Sequence, residues 1–373
     1  MNKTIYLDAA ASSLKPQSVI DAQREFLTDR YANAGRGVCA RAMAADDMVD
    51  RARGRVAEFV NAPGSDNIVF TSGTTDGMNR IARILDLSSA IKEYSRIIVS
   101  DLDHHSARLP WEQMARLGKC SIDRCELDEN LNLDFRAGKK ADVLVITAMS
   151  NVLGRPQDVA ALIRTAKTAN PNVIAIVDAA QYAAHFPINV PEWDCDFLCF
   201  SAHKIGADTG LGLMYVKEPD RWQVDKMGGG MASKVEGGVW VLADGSARYE
   251  AGTLPLTQIA GLAPALDYLE SHRPNQELIK CLHSELSKIS GIKIFTEPGD
   301  ALLTFVAKGM HCIDFGSLAG AHGLCLRVGN MCASWIHARL KCAGSIRIST
   351  GPWNTMDEMN EVAGIIKKIM EEI

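Results

Sequence analysis

Short apolar runs alternate with longer amphipathic stretches over residues 17–220 of this 373-residue chain. The runs are IVF at 68–70, IIVS at 97–100, VLVIT at 143–147, VIAIV at 173–177, FLCF at 197–200 and GLMYV at 212–216. Each is short and uninterrupted by polar residues, the pattern of a strand buried on both faces. Between and before them, Gln17 to Arg30, Met43 to Val60 and Thr75 to Leu87 read as helices, with good helix formers and apolar residues at helical spacing. Strands separated by helices predict an α/β fold with a mainly parallel sheet covered on both faces. The pattern changes near residue 220. KMGGGM at 226–231 predicts a flexible segment, and Gly237 to Ala247 an irregular polar one. Helices over Leu256 to Ser271 and Asn275 to Ser290, strands at 293–295 and 302–307, and an amphipathic helix over Met356 to Glu372 predict a smaller α+β unit.

Composition narrows the class. With 47% hydrophobic and 23% charged residues, the chain reads as an ordinary globular protein. A net charge of -5 leaves no basic footprint for nucleic acid. The N-terminus has no apolar core of signal-peptide length, and no run of about 18 apolar residues would cross a membrane. A cytoplasmic protein is expected. The ten cysteines include no CxxC pair, so no metal site is expected and most thiols read as small buried hydrophobes.

Candidate chemistry gathers at strand ends. The run at 173–177 ends on Asp178, and the run at 197–200 ends on Ser201, His203 and Lys204. The carboxyl ends of strands are where open α/β sheets bind ligands. A lysine there can form a Schiff base with an aldehyde cofactor, and an aspartate can hold the pyridinium nitrogen of pyridoxal phosphate charged. FTSGTTDG at 70–77, with Thr74 and Thr75, follows a strand and opens a helix. It reads either as a phosphate site or as a local N-cap. His104, in DLDHHSARLPW, could stack on an aromatic ring, and Asn151, in SNVLG, could reach a ring substituent. Arg327 precedes Cys332 in RVGNMCASW, and nearby positive charge favours a thiolate. Arg347, in SIRIST, could bind a carboxylate through its fork.

The set TSGTTDGMN, DHHSARLPW, SNVLG, VDAAQ, SAHK, YEAGT, RVGNMCA and IRISTGPWNT resembles the cysteine desulfurases of the class V aminotransferase superfamily. It is most similar to the group II kind serving SUF iron–sulfur assembly, and to selenocysteine lyases. The resemblance implies a fold type I pyridoxal phosphate enzyme. Its large cofactor-binding domain would span 15–250, and a small domain would combine 251–373 with 1–14. By that resemblance Lys204 carries the cofactor and moves the substrate α-proton, Asp178 pairs with the ring nitrogen and His104 stacks on the ring. Asn151 and Gln181 would reach the ring hydroxyl and carboxylate region. Thr74, Thr75, Ser201 and His203 would hold the phosphate, and Thr253 would reach the phosphate of the neighbouring subunit of a homodimer. Arg347 would clamp the substrate carboxylate, Arg36 matches an active-site loop arginine, and Cys332 would take sulfur from L-cysteine as a persulfide and pass it to an acceptor protein. The chain departs from the group II pattern at Asn330 and Met331, where two histidines are usual, at Asp208 in place of a proline, and at Cys39 in place of a histidine. A C–S lyase or selenocysteine lyase acting on L-selenocysteine therefore stands as an alternative, and a catalytically silent scaffold as another.

Overall fold

The computed structural model describes residues 4–35, 37–135 and 140–372. Eight strands form the large sheet: β1 (Ile68–Thr71), β2 (Arg96–Ser100), β3 (Ser121–Leu127), β4 (Leu133–Asp134), β5 (Val143–Thr147), β6 (Ile174–Asp178), β7 (Phe197–Ser201) and β8 (Gly212–Val216). Their spatial order is β1-β8-β7-β6-β5-β2-β3-β4. The pairs β3–β2, β2–β5, β5–β6 and β6–β7 are parallel. The pairs β7–β8, β8–β1 and β3–β4 are antiparallel. Two antiparallel steps restore direction, so β1 runs with β7, and the ends of β1, β2, β5, β6 and β7 lie along one edge.

The unbroken apolar runs follow from burial on both faces. Along β6, Ala175 and Val177 join one core while Ile174 and Ile176 join the other. The first core packs under helices Ala40–Phe59 and Val159–Ala169, the second under Thr74–Leu87 and His105–Arg116. Leu256–Ala260 and Leu262–Ser271, which the sequence pattern grouped with the smaller unit as one helix, pack into the first core instead. They break at Gly261, where a Cβ would lie 2.9 Å from Val19 Cγ1 of helix Gln17–Glu25. That helix widens into a π turn at Phe26–Arg30.

The segment expected to be irregular contains a hairpin, β9 (Ala232–Glu236) and β10 (Val239–Leu242). Gly237 and Gly238 make its turn with φ of 56° and 84°, values that glycine adopts without a Cβ penalty. The second sheet holds β11 (Ile292–Ile294), β12 (Leu303–Ala307), β13 (Arg327–Gly329) and β14 (Ser345–Ile348) in the order β11-β12-β14-β13. Helices Gln276–Leu286, Cys312–Ala321 and Met356–Glu371 cover it. Ile5 and Leu7 join its core, and Ile5–Tyr6 pairs with Leu324–Cys325. No disulfide forms among the described residues.

Candidate active site

The shared strand edge opens into a cavity of about 350 Å³. Thr74, Thr75, His104, Asn151, Asp178, Gln181, Ser201, His203, Lys204, Arg327, Cys332 and Arg347 all line it. Thr253 does not. It lies in a separate depression with Gly229, Gly230 and Glu250. Arg36 lies outside the described residues. The strand-end rule found the lining side chains of the large sheet but left out Thr147, Met149 and Met331, which also face the cavity. Thr147 ends β5 level with Asp178, a position that the alignment of adjacent runs could have flagged.

At one wall, the 14-residue helix Thr74–Leu87 points its N-terminus at the cavity. Its N-cap is Gly73, which has no side chain to satisfy the first N–H groups. Thr74 donates its N–H to Ser201 Oγ at 2.8 Å, and the two hydroxyls lie 2.7 Å apart. A helix N-terminus without an N-cap side chain, beside two buried hydroxyls, suits a phosphate.

Asp178 is buried at the end of β6 and takes a hydrogen bond from Ala180 N at 2.9 Å. Burial raises its pKa, against that Ala180 bond and the charge of Lys204. The same burial lowers Lys204 to about 8, with Asp178 opposing the fall. A fraction of its amine is therefore neutral near neutral pH, the form that attacks a carbonyl or takes a proton. His104 caps helix His105–Arg116: its Nδ1 accepts from Ser106 N at 3.2 Å and lies 2.8 Å from Ser106 Oγ. Burial and the nearby Lys204 charge push it down to about 4, so the imidazole is a flat neutral ring. Gln181 donates Nε2 to Ala10 O at 2.7 Å, which fixes its amide plane beside the cavity.

The second sheet supplies the opposite wall. Arg347 is buried, donates Nη1 to Asn151 O at 2.8 Å, and has a buried Nε without a partner. Asn151 donates Nδ2 to Met331 O at 2.7 Å and leaves a buried Oδ1 without a partner. Cys332 is exposed at the cavity rim. Gly329 would allow this segment local freedom, yet the structure holds it. Met331 and Cys332 both adopt left-handed φ, 52° and 54°. Each such non-glycine residue costs about 1 kcal/mol or more and persists only where its surroundings enforce it. The enforcement is visible: His105 N donates to Cys332 O at 2.8 Å, Cys332 N donates to Asn330 Oδ1 at 3.2 Å, and Ala333 and Ile336 are buried against Leu102, Val152 and Leu153. Of the departures from the group II pattern, Asn330 orders this turn and Met331 lines the cavity, whereas Asp208 accepts from Gln23 away from it and Cys39 is an exposed N-cap.

The donor set fits pyridoxal phosphate: a helix N-terminus without an N-cap side chain for phosphate, a buried carboxylate and a half-buried lysine on one cavity, a neutral imidazole, and an orphaned amide oxygen that would accept from a ring hydroxyl. The chain belongs to the aminotransferase class-V family, whose profile matches residues 5–362. Within that family it is similar to cysteine desulfurases. Those of Escherichia coli O127:H6 and Shigella flexneri are each 32% identical over 381 residues, covering 98% of this chain and 93% of the relative. Among solved structures, the apo cysteine desulfurase of Thermococcus onnurineus NA1 superposes with a TM-score of 0.94 at 28% identity, over 99% of this chain and 95% of that one. The S-sulfonic acid form of the Escherichia coli cysteine desulfurase CsdA gives 0.91 at 29% identity over the same shares. A NifS-like protein at 21% identity and TM-score 0.85 shares the fold, over 99% of this chain and 100% of its own.

Proposed function

We propose that this chain is a pyridoxal phosphate-dependent cysteine desulfurase that converts L-cysteine to L-alanine and takes the sulfur onto Cys332 for an acceptor protein. The observation that carries the reading is one cavity lined by Lys204, Arg347 and an exposed Cys332. Bound there, pyridoxal phosphate would supply an electron sink for the substrate carbons. Thr74, Thr75, Ser201 and His203 would hold its phosphate, Asp178 its ring nitrogen, His104 its face, and Asn151 and Gln181 its ring substituents. Arg347 orients the substrate through its carboxylate, using the Nε–H that lacks a partner. Lys204 Nζ takes the α-proton and returns one to carbon. Cys332 Sγ bonds to the substrate sulfur as the C–S bond breaks. The sum, L-cysteine plus thiol giving L-alanine plus persulfide, balances without an outside oxidant or reductant.

The reading includes a homodimer in which Thr253 completes the partner's phosphate site. Two features support it: Thr253 stands apart from its own chain's cavity, and the hairpin β9–β10 exposes Val235, Val239, Trp240 and Val241. Clusters of exposed apolar residues mark contact surfaces.

Cys332→Ser tests the assignment. In a desulfurase the variant binds L-cysteine but forms almost no alanine in a single turnover, and the wild-type Cys332 peptide gains one sulfur by mass. A C–S or selenocysteine lyase needs no protein thiol to expel its leaving group, so the same variant would keep substantial turnover with L-selenocysteine and the wild-type peptide would gain nothing. The loss of the histidine pair at Asn330 and Met331 keeps this second reading in view.

A further inference from the structure

Just beyond Cys332, Trp335 leaves the short helix Ser334–Arg339 and packs on helix His105–Arg116. The His105 ring meets it edge-on, with centroids 5.2 Å apart and planes at 81°. The Arg108 guanidinium carbon stands 4.1 Å from its ring centroid. Residues three apart share a helix face, so His105 and Arg108 present one surface to Trp335. Arg108 is buried and tethered there. Its Nε donates to Glu112 Oε1 at 2.9 Å, and its Nη1 to Ser100 O and Asp101 Oδ1 at 3.3 Å each. A desolvated cation attracts a ring face more strongly than an exposed one. His105 also holds the chain next to the thiol: its N–H donates to Cys332 O at 2.8 Å, and its Nε2 lies 3.1 Å from Ser334 Oγ. His104, one residue before, lines the cavity. A single peptide link therefore joins the cavity's imidazole to the residue that grips Cys332. The left-handed turn at Met331 and Cys332 persists only while such contacts enforce it. Trp335 supplies its enforcement from outside, since neither it, His105 nor Arg108 lines the cavity.

We propose that Trp335 is a positioning residue for sulfur transfer: stacked on Arg108 and His105, it holds the Cys332 thiol at the cavity rim without touching substrate. The proposal rests on the reading of Cys332 as the sulfur acceptor. It predicts a split, in which sulfur transfer depends on Trp335 and amino-acid binding does not.

The test pairs two readouts on the holoenzyme: single-turnover alanine formation from L-cysteine, and calorimetric binding of L-alanine. L-Alanine carries no sulfur for Cys332 to meet. Trp335→Leu keeps apolar bulk but removes the ring face. Alanine formation in this variant falls by about tenfold or more, because a misplacement of about 1 Å can cost about a hundredfold. Its affinity for L-alanine stays within about twofold of wild type, as for a group that acts only on the chemical step. Trp335→Phe retains a ring for both partners and recovers the rate to within about threefold. Arg108→Lys keeps the charge but loses the planar guanidinium; it lowers the rate alone, by about threefold or more, and carries the test should Trp335→Leu fold poorly. Wild-type alanine formation in Trp335→Leu, equal losses of rate and L-alanine affinity, or no recovery in Trp335→Phe would overturn the proposal. Failure of the underlying reading looks different: Cys332→Ser would then keep forming alanine.

Discussion

Asp178 is placed where a carboxylate is costly to keep charged. It is buried, takes one main-chain hydrogen bond, and has its pKa raised by burial. A stability role predicts that Asp178→Asn weakens the fold. A role in charging the cofactor ring predicts something else. The isosteric amide removes a buried charge, so melting of the cofactor-free protein stays level or rises, while alanine formation falls by about a hundredfold or more, in the range of other preorganised electrostatic contacts. Melting temperature and steady-state rate, measured on the same preparation, separate the two, and an unchanged rate would end the assignment. Asp178, Ser201, His203 and Lys204 were legible because each follows an apolar run, and one rule about strand ends collects them. Asp8 was not. It sits in YLDAAASS with no local sign of a partner, and it pairs with Arg327 and Arg347, more than three hundred residues away, which β13 and β14 set opposite each other. The hold on Cys332 was hidden for the same reason: glycine at 329 signals freedom locally, and the contacts that remove it come from Asn151 and His105.

Helix Thr74–Leu87 meets the end of β8 so closely that no side chain fits between them. A Cβ on Gly212 would lie 2.4 Å from Gly73 Cα and 2.6 Å from Gly73 N, and both are backbone atoms that cannot swing aside. Gly73 itself has a φ of 151°. A Cβ on Gly77, one turn into the helix, would lie 2.6 Å from Cys199 Sγ. These glycines let the helix N-terminus reach the strand edge and set Thr74 against Ser201. Gly212→Ala must therefore displace the Gly73–Thr74 turn. We expect a stability loss of roughly 1–3 kcal/mol from overpacking and a fall in pyridoxal phosphate affinity of about tenfold or more as the helix end moves off the phosphate. Denaturant unfolding and cofactor titration read the two effects, and a variant with wild-type affinity would show that this turn does not hold the phosphate. Elements buried on both faces were the easiest to predict, because burial leaves an unbroken apolar run. The penultimate strand β3, SIDRCEL, was missed because part of it faces solvent and carries charge. The hairpin β9–β10 was missed because its strands are exposed, although VEGGVW contains a turn signal for φ values above zero.

At the scale of the molecule, the proposed dimer makes one prediction: Thr253→Ala should lower pyridoxal phosphate retention without changing the dimer, and a fully loaded, active monomer in sedimentation would contradict the shared site. Acid sensitivity makes another. Burial pushes His104, His185 and His203 down to about 4. Between that value and about 6.5 the unfolded chain binds protons that the folded chain refuses, so stability falls as pH falls through this window. Asp103 works the other way. Burial raises it to about 6, so the folded state takes its proton before the unfolded one and gains stability as pH falls from about 6 toward 3.8. Burial likewise raises Asp178 and Asp196 and lowers His105 and His337, so five losses oppose three gains, and the net is destabilisation in mild acid. His185 is the residue with which to isolate the effect, because it lies outside the active-site cavity and its buried Nδ1 has no partner. Nearby Arg273 adds to the penalty on its charged form. His185→Asn should therefore match the wild type at low pH better than at neutral pH. The stability difference between them should move in favour of the variant by roughly 1–3 kcal/mol from about pH 7 to about pH 4.5, once partial solvent access is allowed for. Urea unfolding at the two pH values measures it, and parallel losses in both proteins would show that His185 titrates alike in the folded and unfolded states.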